Sequence, residues 1–215
     1  DASHELRIPL SIILLSMELL KRKSKENNHQ NDELIECKLK GKFRIKGIRA
    51  TNPIAVGDEV AFIRNEESES GFIDHIYDRK NYIVRKATKL SSATHIIAAN
   101  IDQVVVIASI VKPRTSTGFI DRTLTTAEAY HIPSVVIFNK FDLYNDKQLE
   151  LLEYFEMSYT QAGYQFFATS IPLNLNLDIF KRLLMDKTTL IVGHSGVGKS
   201  ALVNAIDPNL DLKVG

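Results

Sequence analysis

The 215-residue chain contains no tryptophan and a single cysteine, Cys37. One thiol excludes an intramolecular disulfide and a CxxC-type zinc site within the chain, and it fits a reducing, cytoplasmic location. Long hydrophobic runs are also missing. The longest apolar stretch, residues 9–20, is interrupted by Ser11, Ser16 and Glu18. It is too short and too polar to span a bilayer, so no membrane partner is expected. Charge of one sign is absent too: 27 Lys and Arg against 26 Asp and Glu leave a formal net charge of +1. Any surface that attracts a polyanion must therefore be local. The first residue is Asp1 rather than Met, and the sequence reads as a fragment of a longer protein. What is present is a 44% hydrophobic fraction, ordinary for a domain with a buried core.

The pattern of apolar residues divides the chain into 1–32, 33–90 and 91–215. Leu6, Leu10, Ile13, Leu14, Met17 and Leu20 recur at helical spacing and predict an N-terminal helix over residues 1–22. Residues 21–32 are polar and charged and read as a linker. From Ile35 the period changes to two. Ile35, Cys37, Leu39, Phe43 and Ile45 take the odd positions, and Lys38, Lys40, Lys42, Arg44 and Lys46 the even ones. That alternation predicts a strand with one apolar and one basic face, bent at Gly41. Further strands are expected near 60–63, 71–77 and 82–85, separated by turn-rich segments. Closely spaced strands of this kind suggest an OB-type β-barrel, whose face commonly binds nucleic acid. The basic stripe suits phosphate contacts with RNA.

From about Thr94 strands and helices alternate, which predicts an α/β domain with a mainly parallel sheet. Residues 103–109 are continuously apolar apart from their ends, as in a strand covered on both faces. Helices are expected over 119–130, after an Asn145/Gln148 capping box, over 177–184 and over 199–206. Gly163 is placed to end the second of these.

Two motifs carry the chemistry. Residues 193–200 spell GHSGVGKS, a phosphate-binding loop of the form GxxxxGK[ST] between an apolar strand and a helix. Gly193, Gly196 and Gly198 let backbone amides approach phosphate oxygens, and the helix N-terminus adds its dipole. Lys199 is expected to reach the β- and γ-phosphates, and Ser200 to ligate Mg²⁺. Residues 139–142 spell NKFD, the Asn-Lys-x-Asp pattern that reads guanine, at the end of a predicted strand. Asp142 is suited to accept hydrogen bonds from the guanine N1–H and 2-amino group. Adenine offers no such donor pair, and an unpaired carboxylate costs about 1–3 kcal/mol or more. Ala168-Thr169-Ser170 ends the next strand, where GTPases place a segment whose backbone contacts guanine O6. In an ordinary GTPase the phosphate loop precedes the guanine reader; here the order is inverted.

With IECKLKGKFRIKGIRATNPIAVGDEV, AANIDQVVVIAS and FIDR beside these motifs, residues 33–215 resemble the bacterial ribosome small-subunit-dependent GTPase A family (RsgA/YjeQ). The resemblance implies an OB domain that binds ribosomal RNA, followed by a circularly permuted GTPase domain. It implies a cytoplasmic, monomeric enzyme that hydrolyses GTP to GDP with Mg²⁺ and assists late maturation of the small ribosomal subunit. By position, Asn139, Lys140, Asp142, Thr169 and Ser170 would hold the base. Gly193, His194, Ser195, Gly196, Val197, Gly198, Lys199, Ser200 and Ala201 would hold phosphates and Mg²⁺, with Lys199 taking the catalytic part.

Three features of the family have no counterpart in these residues: the Trp-containing first OB strand, the switch segments, and a C-terminal zinc-binding domain. No Asp-x-x-Gly occurs in the 215 residues. Weak nucleotide binding and poor hydrolysis are therefore expected of this chain, as of a domain cut after its phosphate-loop helix. Residues 1–20 resemble instead the phosphoacceptor box of sensor histidine kinases, with His4 as acceptor beside Glu5 and Arg7, and Pro9 kinking the helix. No ATP-binding kinase domain follows, so the segment reads as an inert helix. The rival readings are a non-enzymatic rRNA-binding module and a phosphoacceptor fragment.

Overall fold

A computed structural model describes residues 10–16, 35–39, 54–64, 70–86 and 94–213. The chain divides into two compact units, one of Asp1–Leu20 with Asp102–Gly215, the other of Lys21–Ile101.

In the larger unit, Gln103–Ala108 (β7 in chain order) is buried at every position. It lies parallel to Ser134–Asn139 (β8), which in turn lies parallel to Gln165–Thr169 (β9). On its other side β7 pairs in parallel with Thr188–His194 (β10). Each parallel step needs a crossover, and the sequence supplies helices for it: Thr117–Ala129 (α1), Asp146–Gln161 (α2) and Leu177–Leu184 (α3). A fourth helix, Lys199–Ile206 (α4), follows β10.

Strand alternation sorts the core into two layers. Val105, Ile107, Val135, Ile137 and Ile191 pack with Phe180 and Leu184 of α3 and with Leu202, Val203 and Ile206 of α4. On the opposite face Phe138 stacks on Phe155 of α2 at 5.3 Å between ring centroids. Phe138 is fully buried, a contribution of about 1.5–3 kcal/mol. The start of α2 is fixed by the expected capping box: Asn145 Oδ1 accepts the Gln148 N–H, and Gln148 Oε1 accepts the Asn145 N–H.

The N-terminal expectation is corrected. Leu10–Ser16 (β1) is a strand, not part of a helix, and pairs antiparallel with β10 from Leu10 opposite His194 to Ser16 opposite Thr188. Seven residues of LSIILLS satisfy either period, so the sequence pattern alone does not decide between them. An isolated short helix is marginal in water, whereas the edge of β10 offers a full row of backbone partners. The sheet order is thus β1-β10-β7-β8-β9. His4, Glu5, Arg7, Pro9 and the linker at 21–32 lie outside the described residues.

In the smaller unit Glu36–Leu39 (β2), Val60–Arg64 (β3) and Ser70–Ile76 (β4) form a sheet in the order β2-β4-β3. Tyr82–Lys86 (β5) and Thr94–Ala99 (β6) form an antiparallel pair. The strand that begins at Thr94 therefore pairs with the small unit's β5 and is not part of the parallel sheet. Arg79 braces the loop before β3 through two 2.6 Å bonds to Asp58, which also accepts the Ala55 N–H at 2.8 Å. Of the basic stripe, Lys38 is exposed on β2. Lys40, Lys42, Arg44 and Lys46 lie outside the described residues.

Candidate functional site

The four parallel strands end on one edge of the sheet, the edge where ligands bind in open α/β folds. β10 runs into the GHSGVGKS loop, β8 into Lys140 and a 3-10 turn at Phe141–Leu143, β9 into Ser170, and β7 into the loop at 109–116.

Two glycines of the phosphate loop are required by close approach. A Cβ on Gly193 would strike the Ile107 carbonyl, and one on Gly198 would strike Asn139 Nδ2. Gly198 also has φ of 98°, a left-handed conformation that favours glycine. Lys199 is 6% exposed. Its ammonium donates to the Gly193 carbonyl at 3.0 Å and the His194 carbonyl at 2.8 Å. Burial lowers the Lys199 pKa. Ser200 is half-buried in the first turn of α4, beside Ala201. His194 lies against Phe119, with ring centroids 4.3 Å apart. Burial, with the charge of Lys199 adding to it, lowers the His194 pKa and favours a neutral imidazole.

The NKFD segment is wired to that loop. Asn139 is buried, and its Nδ2 donates to the Val197 carbonyl at 2.8 Å. Its Oδ1 accepts the Thr169 hydroxyl at 3.1 Å. Lys140 has φ of 68° and donates from Nζ to the Gly196 carbonyl at 2.6 Å and to the Lys112 carbonyl. Burial lowers the Lys140 pKa; Asp142 opposes that shift and Lys112 adds to it. Asp142 is exposed, and its Oδ1 accepts the Ser170 hydroxyl at 2.6 Å.

All fourteen residues singled out in the sequence thus stand on this one edge. Thr169 and Ser170 contribute hydroxyls to Asn139 and Asp142, while the Ser170 N–H donates to the Leu175 carbonyl. Sequence reasoning missed the loop after β7. There Ser109 and Thr115 close a ring through the Ser109 N–H to Thr115 Oγ1 bond and the Thr115 N–H to Ser109 carbonyl bond. It also missed Tyr144, whose hydroxyl donates to the Asn139 carbonyl and accepts the Ile110 N–H. The tie between Tyr144 and the loop leaves no local signature, because Ile110 and Tyr144 are 34 residues apart.

The arrangement fits a nucleoside phosphate. A glycine cradle that a Cβ would fill faces the N-terminus of α4, with a buried cation satisfied by nearby carbonyls. An exposed carboxylate, oriented by Ser170, stands at the far side of the same edge.

Comparison with known proteins gives a consistent result. Residues 76–215 match the RsgA GTPase family, and residues 28–73 match the RsgA N-terminal domain. The chain is 49% identical over 183 residues to the small ribosomal subunit biogenesis GTPase RsgA of Bacteroides fragilis strain YCH46, covering 85% of this chain and 59% of that protein. The chain thus spans about three-fifths of the length of the curated relatives it matches. The crystal structure of YjeQ from Thermotoga maritima is similar at 36% identity and a TM-score of 0.65, over 83% of this chain and 59% of that one. YloQ, described as a circularly permuted GTPase, is similar at 28% identity and a TM-score of 0.61, over 97% of this chain and 68% of that one. The fold is an OB-type domain followed by a circularly permuted GTPase domain with a largely parallel sheet, and the chain belongs to the RsgA GTPase family.

Proposed function

We propose that the edge formed by β7–β10 and α4 binds guanine nucleotide, and that the whole protein hydrolyses GTP in the service of small-subunit maturation. One observation carries the reading. Asn139 and Val197, 58 residues apart, bond side chain to main chain and join the two motifs, and Lys140 adds a second tie to Gly196. A base reader and a phosphate cradle held in fixed relation make one site for one ligand.

In this reading Asp142 accepts from the guanine N1–H and 2-amino group, and Ser170 keeps its carboxylate oriented. Lys140 and Asn139 hold the base-reading segment against the phosphate loop. The amides of residues 193–201 and the Lys199 ammonium hold the phosphates; Lys199 exchanges its two carbonyl acceptors for phosphate oxygens when these arrive. The Ser200 hydroxyl is the protein ligand for Mg²⁺, which when bound neutralises phosphate charge. The smaller unit, to Ile101, serves RNA and the larger unit, with Asp102–Gly215, serves nucleotide, in a cytoplasmic monomer. The partners are the small ribosomal subunit and its RNA, met through the basic stripe 38–46 of the smaller unit.

Fluorescent-GDP binding to the 215-residue chain tests the reading. Displacement by GDP and GTP but not by ATP supports it, and equal displacement by ATP contradicts it. Hydrolysis is tested separately, by comparing GTP turnover of this chain with that of a protein extended to the length of its relatives.

A further inference from the structure

We infer that Tyr144 is a positioning residue: its hydroxyl locks the segment from Asn139 to Asp142 onto the loop after β7 and so sets where the base reader stands. The inference rests on the guanine-nucleotide reading above. Tyr144 follows the 3-10 turn at Phe141–Leu143, and its N–H donates to the Phe141 carbonyl at 3.1 Å. Its hydroxyl donates to the Asn139 carbonyl at 2.7 Å and accepts the Ile110 N–H at 3.1 Å, with Ser109 Oγ 3.4 Å away. Burial raises the phenol pKa, so the hydroxyl keeps its proton and remains a donor.

The loop that Tyr144 grips is closed by the paired bonds between Ser109 and Thr115. The same loop supplies the Lys112 carbonyl that accepts from the Lys140 ammonium. The base-reading segment is therefore tied to this loop twice, by the Tyr144 hydroxyl and by the Lys140 side chain. Lys140 has φ of 68°, a conformation that a lysine holds only when its surroundings impose it. The Asn139 carbonyl belongs to the peptide that enters Lys140, so the Tyr144 bond fixes that peptide directly. A phenylalanine at 144 keeps the ring but leaves this peptide untied and the Ile110 N–H without its acceptor. Tyr144 acts through Asn139 and Lys140, and its influence falls on the placement of Asp142.

The test titrates the 215-residue chain and its Tyr144→Phe variant with GDP and with inosine diphosphate. Inosine lacks the 2-amino group, one of the two donors that Asp142 would accept, so the ratio of the two affinities reads the placement of Asp142. Tyr144→Phe is expected to weaken GDP binding about ten-fold and inosine diphosphate binding less, narrowing the preference. Tyr164→Phe, which deletes a hydroxyl bonded to Glu128 away from the site, serves as the control and keeps both affinities. Amide exchange at Ile110, faster in Tyr144→Phe alone, reports the freed loop without any ligand. Unchanged Ile110 protection overturns the inference, as does a loss of stability with an unchanged affinity ratio. Absence of GDP binding by the wild-type chain overturns the nucleotide reading and this inference with it. Wild-type GDP binding retained in full by Tyr144→Phe overturns this inference alone.

Discussion

The side-chain amide of Asn139 donates a 2.8 Å hydrogen bond to the carbonyl of Val197, joining the base-reading segment to the phosphate loop through the buried interior of the site. The same side chain accepts the Thr169 hydroxyl, so one residue links the ends of β8, β9 and β10. Asn139→Ala leaves the Val197 carbonyl and the Thr169 hydroxyl without this partner. The expected loss is about 1–3 kcal/mol of unfolding free energy, measured by urea denaturation. GDP affinity is expected to fall with it; wild-type stability and affinity would contradict the linking role.

Two glycines in left-handed conformation separate backbone strain from steric collision. Gly163 has φ of 90° with open space around a Cβ, whereas at Gly198, φ 98°, a Cβ meets Asn139 Nδ2. Gly163→Ala is expected to cost about 1–2 kcal/mol, from backbone strain alone, and to leave nucleotide binding intact. Gly198→Ala adds displacement of Asn139 and is expected to abolish GDP binding. Equal effects of the two variants on GDP titrations would remove the collision from the account.

The imidazole of His194 gives a pH signature. Its folded-state pKa is depressed below the ordinary 6.5, burial being the larger cause and Lys199 the smaller. The unfolded chain therefore takes up the proton first as pH falls through 6.5, so this group lowers stability on the acid side and is neutral above it. In His194→Gln the fall in thermal midpoint just below pH 6.5 should be shallower than in wild type. Parallel pH profiles for the two proteins would show that His194 does not titrate in that window.

Much of the larger unit was legible in the sequence because its elements are specified locally. α3 and α4 fall at residues 177–184 and 199–206 as expected, and the Asn145/Gln148 box starts α2. QVVVIA reads as a covered parallel strand because every one of its residues is buried. The phosphate loop was legible because its glycines meet local demands, close approach at Gly193 and Gly198 and positive φ at Gly196 and Gly198. The segment Leu10–Ser16 was not, since its five apolar residues and two serines fit either period and the edge of β10 decided the outcome. Nor were the ties among Asn139, Lys140, Tyr144 and the loop after β7. Those depend on sheet order, which brings Gly196 beside Lys140 across 56 residues and Ile110 beside Tyr144 across 34.

The central claim is that Asp142 and the phosphate loop serve one guanine nucleotide. Its most direct test is calorimetric titration of wild type and Asp142→Asn with GDP and xanthosine diphosphate. Xanthine carries a 2-oxo group where guanine carries the 2-amine, so an amide at 142 can donate where the carboxylate could only accept. The account predicts that Asp142→Asn loses GDP affinity by at least about ten-fold and gains xanthosine diphosphate affinity. Unaltered GDP binding by Asp142→Asn would contradict it.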